Sequence, residues 1–198
     1  MEIIVRNSRG MSLIPVKSQL LSERKVFIEG EITDDMANEF MQVLMYLMRE
    51  DGEAPISIYI DSPGGAVQPG LKMYDLIRAL EVEVNLYCTG MAASMAAILL
   101  AGGQKGRRFI LPHAKVMIHE PLIAGGVGGS ATSIQKTAES IMETKRLTVD
   151  LMSADTGKSR KEVEEAVAFD NYMNAQEAVA FGIVDAVVTS VFERRDFN

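Results

Sequence analysis

Cysteine occurs once in this chain, at Cys88, tryptophan not at all, and histidine only at His113 and His119. A lone cysteine makes no internal disulfide, so the fold must hold by packing, as suits a reducing cytoplasm. Cys88 stands in an alternating apolar stretch with nothing basic beside it, and reads as a small buried hydrophobe. Two histidines six positions apart, without a second cysteine, make no zinc spacing. Positive charge is the scarcer sign. The 20 Lys and Arg against 27 Asp and Glu leave a net charge of −7 with no basic tract, which argues against nucleic acid or an anionic membrane as partner. Long apolar runs are missing too. The most apolar stretch, Met91–Ala101, falls short of the about 20 residues that a bilayer span needs. Met1–Gly10 carries Glu2, Arg6 and Arg9 and lacks the apolar core of a leader. The expectation is one soluble cytoplasmic domain, its 198 residues enough to bury most of its apolar surface.

What is present alternates between two periods. Val26–Gly30 reads as a short strand, and Thr33-Asp34-Asp35 opens a helix whose apolar face is Met36, Phe40, Val43, Leu44 and Leu47. Asp51-Gly52 ends it. Ile56–Ile60 alternates as a strand and runs into the turn Asp61-Ser62-Pro63-Gly64-Gly65. A helix through Met73, Leu76, Ile77 and Leu80 follows, then a strand over Val82–Cys88. A second helix starts at Ser94 and stops at Gly102-Gly103; two short strands, Phe109–Leu111 and Val116–Ile118, flank Pro112-His113. Beyond His119 lies the glycine-rich stretch Ala124–Gly129, a flexible connector or a chain extended enough to pair with a peptide strand. Ser130 then caps a long helix to about Ala154, with Ile134, Ala138, Ile141, Leu147 and Leu151 spread around it. Such a helix packs on more than one side. Capping boxes Ser159…Glu162 and Asn174…Glu177 start two more helices, and Ile183–Val188 is a last strand. Strand–helix alternation predicts an α/β fold.

One serine stands out. Ser94 lies in the small-residue run Gly90-Met91-Ala92-Ala93-Ser94-Met95-Ala96-Ala97, where a strand gives way to a helix. A hydroxyl there sits beside unpaired N–H groups and the positive end of a helix dipole, which suit a developing oxyanion. The plain alternative is a helix N-cap. The elbow G-x-S-x-G is absent, and composition alone does not choose an acid among 27 carboxylates. Gly64-Gly65 lacks G-x-G-x-x-G and a following Lys-Ser/Thr, so it reads as a tight turn or a close approach to ligand and not as a phosphate cradle.

The serine run, the block Leu111-Pro112-His113-Ala114-Lys115-Val116-Met117-Ile118-His119-Glu120-Pro121-Leu122, and Ser62–Val67 together resemble the proteolytic subunit of the Clp protease (ClpP) family. Phe169–Ala178 and Phe181–Asp185 continue the likeness, which runs from about Val26 to Val188. The resemblance implies the ClpP/crotonase-type fold of repeated ββα units with a protruding helical arm, here about residues 124–155. It implies a serine endopeptidase domain over 26–198, behind an abbreviated N-terminal axial or docking segment, 1–25. Position by position, Ser94 matches the nucleophile, His119 the general base and Asp170 the orienting acid. Gly65 and Met95 match the oxyanion-hole N–H donors, and His113 is structural. No metal or cofactor is implied for this subunit. ATP would be used by a hexameric AAA+ Clp unfoldase that feeds unfolded proteins to two stacked heptameric rings of this chain.

The chain departs from the family pattern at several places. Asp61 stands where Asn is common, and Phe169 where an arginine beside the acid is typical. The segment between His119 and Asp170 is about two residues longer than usual, the surplus falling in the glycine-rich stretch. Ser12-Leu13-Ile14-Pro15 resembles the family's N-terminal motif, which makes Met11 an alternative start. Two rival readings share the fold: a crotonase-like acyl-CoA enzyme, and a ring subunit that assembles without cutting.

Overall fold

Apolar residues recur with period two in some segments and 3.6 in others, and strands and helices alternate accordingly. The computed structural model describes residues 1–7, 10–123 and 125–192. It opens on an antiparallel hairpin of β1 (Glu2–Asn7) and β2 (Gly10–Pro15), followed by helix α1 (Val16–Ser22). Then come β3 (Lys25–Glu29), α2 (Asp34–Glu50), β4 (Ile56–Ser62), α3 (Val67–Ala79) and β5 (Val84–Ala93). Helix α4 (Met95–Ala101), β6 (Arg108–Ile110) and β7 (Lys115–Ile118) lead to the long helix α5 (Ala131–Thr156). The chain continues through α6 (Arg160–Val167), β8 (Asn171–Met173), α7 (Ala175–Phe181) and β9 (Ala186–Val187). Strands run in the order β3-β4-β5-β6-β9, all parallel, with β7 parallel to β5 and β8 antiparallel to β7. This is the α/β architecture that the sequence implied.

On one side of the sheet, helix α2 buries Ala37, Phe40, Leu44 and Leu47, and α3 buries Met73, Tyr74 and Ile77. Helix α4 is buried along its whole length. Each fully buried Leu or Ile contributes about 1.5–3 kcal/mol relative to exposure. Cys88 lies in this core as expected, and burial, with the Asp61 charge adding, pushes its thiol up to about 12. An aromatic row spans the sheet: Phe27, Tyr59, Tyr87 and Phe109 are register partners and stack with centroids 5.1–5.2 Å apart. Both capping boxes form as read. In α6 the Ser159 hydroxyl and N–H hold the Glu162 carboxyl below its usual range.

Helix α5 projects. Its buried residues, Thr148, Val149, Met152 and Asp155, all lie in its C-terminal part, whereas Ile134, Met142 and Leu147 are exposed. Its base is fastened by a buried polar cluster. Arg108 donates to both Asp185 oxygens from Nε and Nη2, and from Nη1 to the carbonyls of Ala101 and Asp155. Tyr74 donates to the Asp155 carboxylate at 2.9 Å, and burial together with that hydrogen bond pushes its phenol up to about 12.

Several segments differ from the expected ones. The third central strand does not end at Cys88 in a turn but runs on to Ala93. Its small residues carry no strand signal of their own; Met91–Ala93 are strand because Lys115–Met117 pair with them. The Asp61 carboxylate also accepts from Met91 N–H at 2.9 Å, and a Cβ on Gly90 would lie 2.5 Å from that oxygen. Helix α5 ends at Thr156 instead of about Ala154, with Gly157 in the left-handed conformation. The last strand is Ala186–Val187 alone, since Ile183 and Val184 turn into the core behind α7. Strand β8 has no counterpart in the sequence reading.

Candidate active site

Strand register assembles the site. Strand β5 forks: Leu86–Cys88 pair with β6, and beyond them Met91–Ala93 pair with β7. Ala93 is opposite Met117, and Ser94 N–H donates to Met117 C=O at 2.8 Å, so the next residues of β7 arrive beside Ser94. Strand β8 then runs antiparallel to β7 with Asn171 opposite Ile118. One step further along that register, Asp170 faces His119. Residues far apart in sequence are thus brought together by two pairings that no local signal announces.

The contacts follow. His119 Nε2 lies 2.8 Å from Ser94 Oγ, and His119 Nδ1 lies 3.2 Å from Asp170 Oδ1. The imidazole is largely buried and the carboxylate mostly exposed. With Nδ1–H donating to Asp170, Nε2 is left as the acceptor for the serine proton. His113 sits in an exposed turn ahead of β7.

Ser94 is the single residue between β5 and α4, at φ 54° and ψ −122°. A non-glycine side chain at positive φ costs of order 1–3 kcal/mol and persists where surrounding structure imposes it. Its hydroxyl makes no cap bond to the helix and is turned to His119 instead. The N-cap alternative therefore fails for the side chain, although the residue occupies the cap position.

Gly64 and Gly65 follow β4 and close the other side. A Cβ on Gly64 would lie 2.6 Å from Ala93 O, 2.8 Å from Ser94 Cβ and 3.0 Å from Met95 N. Only a glycine, here at φ +90°, lets these backbones meet. Gly65 bridges to Ile32, but the bridge uses Gly64 C=O and Ala66 N–H, leaving the Gly65 N–H outside it. Among the described residues no turn or side-chain acceptor takes the Gly65 or Met95 N–H. Gly64 is the residue whose contact the sequence reading did not single out; its pairing with Gly65 after a strand was the available signal.

One hollow is lined by Ser94 and His119, and a separate groove opens beside Ala66. The hollow is small and walled by Ile98, Ile118, Val149, Met152 and Val167, largely apolar. The groove, of about 750 Å³, runs between Ala66–Pro69, Pro121–Ile123 and the face of α5 that carries Ser133, Lys136, Thr137 and Ser140. Leu122 and Ile123 line it, and among the described residues their backbone joins no strand. Among the described residues no helix is long and apolar enough to cross a membrane.

The family profile described as Clp protease matches residues 8–191. The chain is 41% identical over 194 residues to ATP-dependent Clp protease proteolytic subunit 2 of Chlamydia trachomatis serovar D, covering 98% of this chain and 95% of that one. It is 41% identical over 196 residues to the subunit 2 of Chlamydia muridarum, covering 99% and 96%. To ATP-dependent Clp protease proteolytic subunit 1 of Chlamydia felis it is 39% identical over 194 residues, covering 98% and 95%.

Proposed function

Because the chain belongs to the Clp protease family, a family of serine-type peptidases, we propose that Ser94, His119 and Asp170 hydrolyse peptide bonds as nucleophile, base and orienting acid. The 2.8 Å contact between Ser94 Oγ and His119 Nε2 carries this reading. His119 takes the hydroxyl proton as Oγ attacks the scissile carbonyl, then returns it to the leaving amine. Asp170 holds the tautomer that leaves Nε2 free. The N–H groups of Gly65 and Met95 stabilise the oxyanion, a role worth about 100-fold or more in kcat for one donor. Substrate lies extended along Pro121–Ile123, the segment that follows His119, in the groove that Ala66 and α5 also line.

A crotonase-like enzyme needs no serine nucleophile, and a non-cutting subunit needs no serine–histidine contact, so the same contact favours the peptidase over both. The subunit works in two stacked heptameric rings, with α5 as the element that packs ring on ring. A hexameric AAA+ Clp unfoldase delivers unfolded proteins and uses the ATP, and short peptides enter unaided. The subunit needs no metal or cofactor of its own and acts in the cytoplasm.

The test is intact-mass measurement after treatment with a serine-directed phosphonate, with a fluorogenic peptide assay alongside. Wild-type chain gains one adduct; Ser94→Ala gains none and loses peptide hydrolysis while assembling as before. That variant loses no side-chain cap bond, only the hydrogen bond to His119, a cost of about 1 kcal/mol. Persisting cleavage by Ser94→Ala would refute the assignment.

A further inference from the structure

His119 is held unevenly. Asp170, its partner on one side, is mostly exposed, and Phe169 next to it is 86% exposed and brings no cation to the carboxylate. Strand β7 has already ended at Ile118, so His119 and Glu120 lie beyond the ladder. Glu120 N–H donates to Val167 C=O at 2.8 Å, which fixes one point of that backbone. The second tie comes from α5: Lys145 Nζ forms an ion pair with the Glu120 carboxylate, both side chains being part-buried. One turn on from Lys145, Thr148 and Val149 wall the small hollow that Ser94 and His119 also line. The projecting helix therefore grips the histidine segment from two directions, through the hollow and through the charge pair.

We propose that Lys145 and Glu120 are a positioning pair for hydrolysis: their ion pair ties the projecting helix to the backbone that carries His119. The placement of the imidazole against Ser94 then follows the placement of α5. Ahead of Lys145 that helix exposes Ile134 and Met142. Coupling of this kind runs inside one chain and uses a contact on the histidine rather than on the acid. The inference rests on His119 being the base. Loss of turnover in His119→Ala tests that reading separately, and the pair is read from variants whose Ser94 still takes the label.

The experiment measures kcat, KM and particle size for Lys145→Met, Glu120→Gln, Lys145→Arg and the reversed pair Lys145→Glu with Glu120→Lys. The two neutralised variants should lose about threefold to tenfold in kcat with KM within about twofold, since substrate contacts are untouched. Lys145→Arg should keep most of the rate, and the reversed pair should recover at least about half of it. The rate of Ser94 labelling should fall and recover in parallel. Wild-type kcat in both neutralised variants, or a change confined to KM, overturns the proposal. Should those variants fail to assemble, the reversed pair decides: assembled and fast supports the pairing, whereas assembled and slow, or unassembled, overturns it.

Discussion

At Ser94 a strained backbone and a close glycine contact coincide. The positive φ points Oγ away from its own helix and towards His119, while Gly64 packs against the same peptide. Gly64→Ala should then damage catalysis and stability together. The new Cβ meets backbone atoms of Ala93 and Met95, which have no rotamer to adopt, and the residue has to keep φ +90°. A destabilisation of about 1–3 kcal/mol is expected, with kcat falling at least tenfold as Met95 N–H is displaced. Thermal unfolding and peptide turnover check it; wild-type turnover would show that the two backbones part without consequence. The two histidines separate in the same assay. His119→Ala should abolish turnover, and His113→Asn, in an exposed turn, should leave it within about twofold.

The elements that carry the site are fastened from behind. Arg108 on β6 is 2% exposed and gathers the end of α4, the end of α5 and the segment before β9 through hydrogen bonds. Burial tends to push the Asp185 carboxyl up, but the hydrogen bonds and charge of Arg108 outweigh it and leave the group below its ordinary 3.8. A depressed carboxylate contributes stability that is fully present above its unfolded value and is lost as pH falls through its folded one. Acidification below 3.8 should therefore weaken the fold through Asp185. Asp185→Ala should cost about 2–3 kcal/mol at neutral pH by leaving a buried guanidinium without its carboxylate. The variant should also show a shallower loss of melting temperature on acidification. An unchanged acid slope would mean that Asp185 is not the linked group. Because α5 ends in this cluster, its loss should also raise hydrogen exchange along Thr148–Thr156 first.

For the molecule as a whole, the outer part of α5 is the feature a lone subunit accommodates worst. Ile134, Met142 and Leu147 stand in water on one helix, and Phe169 is more exposed than any of them. Apolar surface gathered in this way marks an interface. Native mass spectrometry and light scattering should give a tetradecamer, and Met142→Asp should shift it to single rings or smaller particles. A stable, active monomer near 21.7 kDa would refute the ring reading. Phe169 offers apolar packing where an arginine would offer charged hydrogen bonds. Assembly through this position should consequently depend little on salt, and Phe169→Arg should alter the ring equilibrium more than the turnover of intact rings. Sedimentation velocity across a salt series checks this, with an unchanged profile counting against the position.

Capping placed four helix starts, at Thr33, Ser130, Ser159 and Asn174, because caps are short-range chemistry, whereas α1, which has neither a side-chain cap nor a buried face, left no such signal. The burial of Cys88 and the glycine turn after β4 were likewise legible locally. Motif resemblance singled out Ser94, His119 and Asp170, yet composition and spacing left the acid open. Pairing decided the remainder. Met91–Ala93 became strand only through β4 and β7, and β8 exists because Asn171–Met173 meet Val116–Ile118 from the opposite direction. The bend at Ser94, the Arg108 cluster and the Lys145–Glu120 contact likewise join residues distant in sequence. Such contacts depend on which strand lies beside which, a choice made by burying the whole core at once, and no short window of residues carries that information.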